Sequence, residues 1–199
     1  MSRPAAFLDR DGTIIHDLEY IRDAAKLSLV PGAADAIKRL NDAGIPVVVV
    51  TNQSGIARGL LTADDYLAVQ SGVETALRDA AGARIDASYM CPHHPDFTGP
   101  CECRKPGTLL FRRAAAEHGL DLTRSAYIGD RWRDAAPAIE LGGRGIVVVA
   151  SSTPPEDLRR IDERASQYGA TGGSVETARS LDDAVTRLLG ALPASAIRQ

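Results

Sequence analysis

The chain has 199 residues, long enough for one α/β domain with a real core or two very small ones. Its 44% hydrophobic content and net charge of −3 are those of a soluble globular protein and give no electrostatic case for nucleic acid or membrane as a partner. No apolar run approaches the length of a membrane span, and Met1-Ser2-Arg3-Pro4 leads straight into the first strand with no room for a signal peptide, so the cytoplasm is the expected compartment.

In chain order, Ala6 to Leu8 reads as a buried strand that ends in Asp9-Arg10-Asp11-Gly12-Thr13. The spacing predicts a helix from about Gly32 to Ala43, with Ala33, Ile37 and Leu40 on one face and Gly44 as its stop. Val47 to Val50 is an unbroken β-branched run, typical of a strand buried on both faces, and it ends at Thr51. Thr62-Ala63-Asp64-Asp65 reads as a helix N-cap, followed by a stripe of Tyr66, Val69, Val73 and Leu77. Ile85 to Met90 is a third strand and leads into the cysteine-rich segment. A helix over Thr108 to His118 stops at Gly119, and strands at Ala126 to Ile128 and Ile146 to Val149 flank a helix from about Arg133 to Leu141. Ser151 to Pro155 breaks the pattern before a charged helix from about Glu156 to Tyr168, and Gly169 to Gly173 breaks it again. Val175 to Ala178 reads as a short edge strand, and Ser180 caps a last helix striped by Leu181, Val185, Leu188 and Leu189.

Alternating strands and helices predict an α/β fold, a Rossmann-like three-layer sandwich with a mainly parallel sheet. Residues 1–190 are expected to form a single domain, with 191–199 a frayed tail. Asp9, Thr51 and Asp130 then stand at the C-terminal ends of strands, the edge where open α/β sheets bind ligands.

Asp9 and Asp11 share a face of the extended chain, so one carboxylate can attack a reacting atom while the other moves a proton. Gly12 permits the sharp turn that leaves room for a ligand. With Thr51, Lys105 and Asp130, these residues supply two acids, a hydroxyl, a cation and another acid, a set suited to phosphoryl transfer. Asp134, four residues after Asp130, could face the same way, near a metal or as a supporting charge. Cys91, His93, Cys101 and Cys103 use every cysteine of the chain and match a closed tetrahedral zinc site, which is structural because no position remains for water. A disulfide would leave one cysteine over, free thiols in a turn are the other alternative, and His94 and Asp96 could compete as ligands although spacing favours His93. Such a clip would hold the loop that carries Arg104 and Lys105.

Four segments, Asp9-Arg10-Asp11-Gly12-Thr13, Thr51-Asn52, Arg104-Lys105-Pro106 and Gly129-Asp130-Arg131-Trp132-Arg133-Asp134, resemble in order the motifs of the haloacid dehalogenase (HAD) superfamily of phosphatases. With the cysteine set, the resemblance narrows to the D,D-heptose 1,7-bisphosphate phosphatases and the related zinc-containing histidinol-phosphate phosphatases, over nearly all of residues 6 to 150. The stretch from Thr51 to Gly59 looks more like the heptose branch.

That resemblance implies a HAD-like fold and removal of the 7-phosphate of D-glycero-D-manno-heptose 1,7-bisphosphate, a step of nucleotide-activated heptose biosynthesis. It implies Asp9 as nucleophile, Asp11 as acid and base, and Thr51 and Lys105 as partners of the transferring group. Magnesium would be held by the Asp9 carboxylate, the Asp11 main-chain carbonyl and Asp130. Asp17, Leu18, Glu19, Tyr20, Asn52, Gln53, Ser54 and Arg131 align with substrate-contacting positions, and the Arg104 guanidinium could recognise a second phosphate or sugar hydroxyls. The 39 residues between Asp11 and Thr51 leave no room for a separate cap domain. The expected partner is a small sugar bisphosphate, with no nucleic acid or membrane, and the chain is expected to be a monomer. A histidinol-phosphate phosphatase is the alternative enzyme, and a catalytically silent zinc-stapled binding module the alternative from another class.

Overall fold

Six apolar segments give the strands of a computed structural model that describes residues 2–151, 153–166 and 173–191. They are β1 (Ala6–Leu8), β2 (Val47–Asn52), β3 (Ala87–Cys91), β4 (Ala126–Gly129), β5 (Arg144–Val148) and β6 (Ser174–Ala178), all parallel and ordered β3-β2-β1-β4-β5-β6. From β1 the chain steps outward to β2 and β3, then jumps back across β1 to β4. Loops leaving β1 and β4 therefore diverge, and a crevice opens at the carboxyl ends of these two strands.

The helices in chain order are α1 (Ala33–Asp42), α2 (Ser54–Ala57), α3 (Ala63–Ala81), α4 (Pro95–Thr98) and α5 (Leu109–His118). After β4 come α6 (Trp132–Ala135), α7 (Pro137–Leu141), α8 (Pro155–Ser166) and α9 (Leu181–Ala191). Side chains alternate across a strand, so Leu8, Val47 and Val49 pack with Ile37, Leu40, Val69, Val73, Leu77, Val185 and Leu188 of α1, α3 and α9. Phe7, Val48, Val50 and Tyr127 face the other way, against Leu110, Phe111 and Ala114 of α5 and Leu141 of α7. The expected stripes of α3 and α9 are thus their buried faces. Thr62 starts α3 with a capping box: its hydroxyl accepts from Asp65 N at 3.0 Å while its own N–H donates to the Asp65 carboxylate at 2.7 Å.

Several boundaries differ from the sequence reading for identifiable reasons. β3 begins at Ala87 rather than Ile85 because the Asp86 carboxylate accepts from Val47 N at 2.8 Å and ends the pairing there. The helix expected over Arg133 to Leu141 is two short helices, because Pro137 has no N–H to continue the first and instead opens the second. Four one-turn helical pieces in loops, Ala24–Lys26, α2, α4 and Leu122–Arg124, carry no periodic signal that the sequence reading could use. Residues 167–172 and 192–199 lie outside the described residues, and Ala191, expected to begin the frayed end, instead closes α9. Between Asp11 and Thr51 the chain forms the Ala24–Lys26 turn and α1, and between Thr51 and Lys105 it forms α2, α3, β3 and α4; neither interval holds a cap domain. No helix among the described residues is long and apolar enough to cross a membrane.

The aromatic trio anchors the α5 side of the core: Phe7 stacks on Tyr127 with ring centroids 5.3 Å apart, and Phe111 meets both edge-on at the same separation. Phe111→Ala is expected to lower unfolding free energy by about 3–5 kcal/mol, read from the urea midpoint, because the hole lies between a sheet and a helix that cannot both close on it.

Candidate active site

Asp9 follows β1 and continues its ladder, with its N–H donating to Ile128 O at 2.8 Å. Its side chain is buried, and its Oδ1 accepts from Lys105 Nζ at 2.8 Å. The same ammonium lies 2.7 Å from Asp134 Oδ1, and both lysine and Asp134 are buried. Burial opposes the Lys105 charge, but Asp134 and Asp9 outweigh it and hold its pKa above the ordinary lysine value. Lys105 itself is placed by Asn52, whose side-chain amide imitates a strand neighbour: Lys105 N donates to Asn52 Oδ1 at 3.0 Å and Asn52 Nδ2 donates back to Lys105 O at 3.2 Å.

Asp9, Asp130 and Asp134 bring carboxylate oxygens within 4.8 Å of one another. Lys105 and the Arg133 guanidinium, whose Nε lies 3.9 Å from Asp134 Oδ1, still leave the three buried acids short of one positive charge. Burial, then the Asp9 and Asp134 charges, push the Asp130 carboxyl up to about 7, and its Oδ1 is buried with no hydrogen-bond partner. An orphaned buried carboxylate oxygen beside two further acids is a donor set that fits a hard divalent cation. Gly12 makes room for it: its φ is +85°, and a Cβ there would lie 2.6 Å from Asp130 Oδ2.

Asp11 sits across the cleft from this cluster, part-buried. Its Oδ2 accepts from Gln53 Nε2 at 2.7 Å and from Thr51 Oγ1 at 3.4 Å, and Gln53 Nε2 also reaches Thr51 Oγ1 at 2.9 Å. On its other side the Arg10 guanidinium meets both carboxylate oxygens through Nε and Nη2, at 3.1–3.3 Å. Burial raises the Asp11 carboxyl above the ordinary aspartate pKa, against the pull of Arg10. A raised acid holds its proton to higher pH than an ordinary aspartate does, which suits a proton donor.

The rim is the loop after Asp11. Asp17, Glu19, Tyr20 and Ile21 line the cleft together with Asn52, Gln53, Ser54, Gly55, Arg131 and Arg133. Glu19 and Tyr20 have φ of 39° and 57°, a left-handed kink held where Glu19 N donates to Asp17 Oδ1 at 3.1 Å. The kink lays the Tyr20 ring on Gly55, where a Cβ would lie 2.5 Å from Tyr20 Cδ1. Two candidates from the sequence stand apart: Leu18 is exposed and lines a neighbouring groove, and Arg104 turns its guanidinium to His93 O at 3.2 Å instead of lining the cleft. Sequence reasoning missed Arg133 on the cleft wall, where only its closeness to Asp130 could have signalled it, and it placed Asp134 near a metal or as a supporting charge without naming Lys105 as its partner.

Cys91, the last residue of β3, meets His93, Cys101 and Cys103 beside the cleft. The Sγ–Sγ distances are 3.2, 3.4 and 3.7 Å, and His93 Nδ1 lies 3.2 Å from Cys103 and 3.8 Å from Cys91. These separations are far too long for disulfides and match the edges, about 3.7 Å, of a tetrahedron with metal–sulfur bonds of about 2.3 Å. The four donors could hold zinc. His94 instead pairs with Arg58 at 2.9 Å and accepts from Asp96 N at 3.3 Å, outside the cluster.

Two family models match the chain, Haloacid dehalogenase-like hydrolase over residues 6–74 and HAD-hydrolase-like over residues 102–171. The D-glycero-beta-D-manno-heptose-1,7-bisphosphate 7-phosphatase of Yersinia pestis is 39% identical over 153 residues, which is 73% of this chain and 81% of that protein. The D-glycero-D-manno-heptose-1,7-bisphosphate 7-phosphatase of Thermosynechococcus vestitus is 41% identical over 156 residues, 74% of this chain and 80% of that one. The solved structure of D,D-heptose 1,7-bisphosphate phosphatase from B. bronchiseptica, complexed with magnesium and phosphate, matches with a TM-score of 0.77 at 31% identity, covering 95% of this chain and 99% of that chain. By sequence and by fold, the chain belongs to the D-glycero-D-manno-heptose-1,7-bisphosphate 7-phosphatase family of haloacid dehalogenase-like hydrolases.

Proposed function

We propose that this protein is a phosphatase that removes the 7-phosphate of D-glycero-D-manno-heptose 1,7-bisphosphate, the substrate in the names of its relatives, during synthesis of nucleotide-activated heptose. The observation that carries the reading is the convergence of Asp9, Asp11, Thr51 and Lys105 on one cleft that also holds the orphaned Asp130 carboxylate. Asp9 attacks phosphorus, the bond from phosphorus to the sugar oxygen breaks, and Asp11 delivers its proton to that oxygen. Asp11, now a carboxylate, takes a proton from water as the water oxygen attacks the Asp9-bound phosphoryl group and frees Asp9 and phosphate. Lys105 fixes the Asp9 carboxylate through Oδ1, and with the Thr51 hydroxyl it faces the charge that develops on the transferring oxygens. Magnesium, bound by Asp9, Asp130 and the Asp11 main-chain carbonyl, would supply positive charge that offsets repulsion between an anionic nucleophile and an anionic substrate.

Asp17, Glu19, Tyr20, Gln53 and Ser54 on the rim would contact the sugar, and Arg131 the second phosphate. Arg104 would act there only after releasing His93 O. Zinc at Cys91, His93, Cys101 and Cys103 would hold the loop that ends in Lys105, since Cys103 is two residues from it. Three thiols gathered without a disulfide suit the reducing cytoplasm.

Phosphate release with magnesium, from both anomers of the heptose 1,7-bisphosphate, histidinol phosphate and fructose 1,6-bisphosphate, tests the reading, with Asp9→Asn as the blank. The expected result is a preference of about a hundredfold or more in kcat/KM for one heptose anomer. Preference for histidinol phosphate would remove the substrate and keep the chemistry; no Asp9-dependent release would remove the enzyme.

Lys105→Met is expected to lower kcat by about 10²–10³ with a much smaller change in KM, because the ammonium serves the charge that develops in the transition state. The same variant leaves Asp9 and Asp134 buried without their cation, so its melting temperature should fall as well. Metal analysis is expected to give one zinc per chain, and Cys103→Ser should lose it, melt earlier and lose activity together, since the Lys105 loop is then unanchored.

A further inference from the structure

The largest fully buried side chain among the described residues is Arg10, between the two catalytic acids in sequence yet without a part in the steps above. A buried guanidinium is expensive in free energy unless it is paired, and fold-stabilising arginines meet that expense with bonds to several elements. Arg10 does not. All four hydrogen bonds of its side chain go to one carboxylate, that of Asp11, from Nε at 3.2 and 3.3 Å and from Nη2 at 3.1 Å to each oxygen. Its remaining nitrogen, Nη1, is buried with no partner at all.

The guanidinium is fixed from behind. It lies over the Tyr66 ring of α3, 5.1 Å from the centroid, and the Tyr66 hydroxyl is tied to Ser88 Oγ of β3 at 3.0 Å. Adjacent residues in an extended chain point to opposite sides, so Arg10 and Asp11 meet only because the backbone curls after β1. Arg10 O accepts from Ile14 N at 2.9 Å and Ile15 N at 3.1 Å, and Gly12 N donates to Ile15 O at 2.8 Å. Arg10 and Gln53 thus grip Asp11 from two sides, with Thr51 as a weaker third contact.

We propose that Arg10 is a positioning residue for the proton transfer of this phosphatase: its two-pronged grip, backed by Tyr66, sets the Asp11 carboxyl at the angle from which it reaches the leaving oxygen. This rests on the proposed role of Asp11. Without the grip, Asp11 would keep Gln53 and turn about that single strong bond. Lysine in place of Arg10 keeps the charge but not the fork, so it would not restore the orientation.

The test exploits the leaving group. A sugar alkoxide needs a proton as it departs and 4-nitrophenolate does not, so loss of a general acid lowers kcat/KM for the first far more than for the second. Magnesium-loaded wild type, Asp11→Asn, Arg10→Lys, Arg10→Met and Arg10→Met/Asp11→Asn are assayed on heptose 1,7-bisphosphate and 4-nitrophenyl phosphate, with circular dichroism and melting temperature as the folding check. Both Arg10 variants are expected to lose about 30-fold or more on the sugar phosphate and about 3-fold or less on the aryl phosphate, and Arg10→Met should add no loss on top of Asp11→Asn. Should Arg10→Met not fold, Arg10→Lys and Tyr66→Leu carry the same comparison. Equal losses on both substrates, full rescue by lysine, or a further loss in the Asp11→Asn background would overturn the proposal. If Asp11→Asn itself fails to discriminate the substrates, the assignment of Asp11 as proton donor falls first and the role of Arg10 with it.

Discussion

The Lys105 ammonium, 2.8 Å from Asp9 and 2.7 Å from Asp134, joins three segments that come from different parts of the fold. Asp9 leaves β1, Asp134 begins the chain's path away from β4, and Lys105 arrives on the cysteine loop. Each charge would be costly where it lies, since all three side chains are buried. Removing one partner of such a buried pair typically costs about 3–5 kcal/mol, because the charge left behind is uncompensated, so the three segments are coupled through it. Asp9, Lys105 and Asp134 are thus one charged unit.

The remaining charge in the cleft follows from that unit. With Lys105 taken by Asp9 and Asp134, Asp130 has no cation of its own, and burial with two acidic neighbours raises its carboxyl to about 7. The result is a site that favours binding of positive charge before any substrate arrives. Asp11 is treated differently. It stands apart from the other acids, gripped by Arg10 and Gln53, and its own burial lifts its pKa while the neighbouring arginine limits the rise. Two aspartates two residues apart thus have different environments, Asp9 held by Lys105 and Asp11 by Arg10 and Gln53, and the proposed division between nucleophile and proton donor rests on that contrast.

Access is set by what the fold leaves out. With no cap domain, the walls of the cleft are loops: the kinked segment of Glu19 and Tyr20 on one side and the turn after β2 on the other, locked together where the Tyr20 ring lies on Gly55. A polar loop as long as the one carrying Lys105 cannot order itself by burying apolar surface. The cysteine and histidine cluster lies immediately before Lys105, where the proposed zinc would anchor the loop, and Asn52 pairs with the Lys105 backbone from the end of β2.

Much of this was legible in the chain because it depends on local pattern. Unbroken apolar runs mark the strands and period-3.6 spacing marks the longer helices, and the polar residue at the end of an apolar run marks the carboxyl edge of the sheet, so Asp9, Thr51 and Asp130 were readable as a set. Cysteine spacing named the metal-type cluster for the same reason. The sequence by itself therefore determined the sheet, the acids at its carboxyl edge and the chemistry they suit. Tertiary structure alone decided how side chains pair across the cleft: that Arg10 is buried and given wholly to Asp11, that Asn52 clasps a backbone, that Asp134 holds Lys105, and that Arg104 turns to the cysteine loop. Pairings of this kind join residues up to 96 positions apart, as Asp9 and Lys105 are, and depend on the burial and angle of each side chain, which no spacing along the chain encodes.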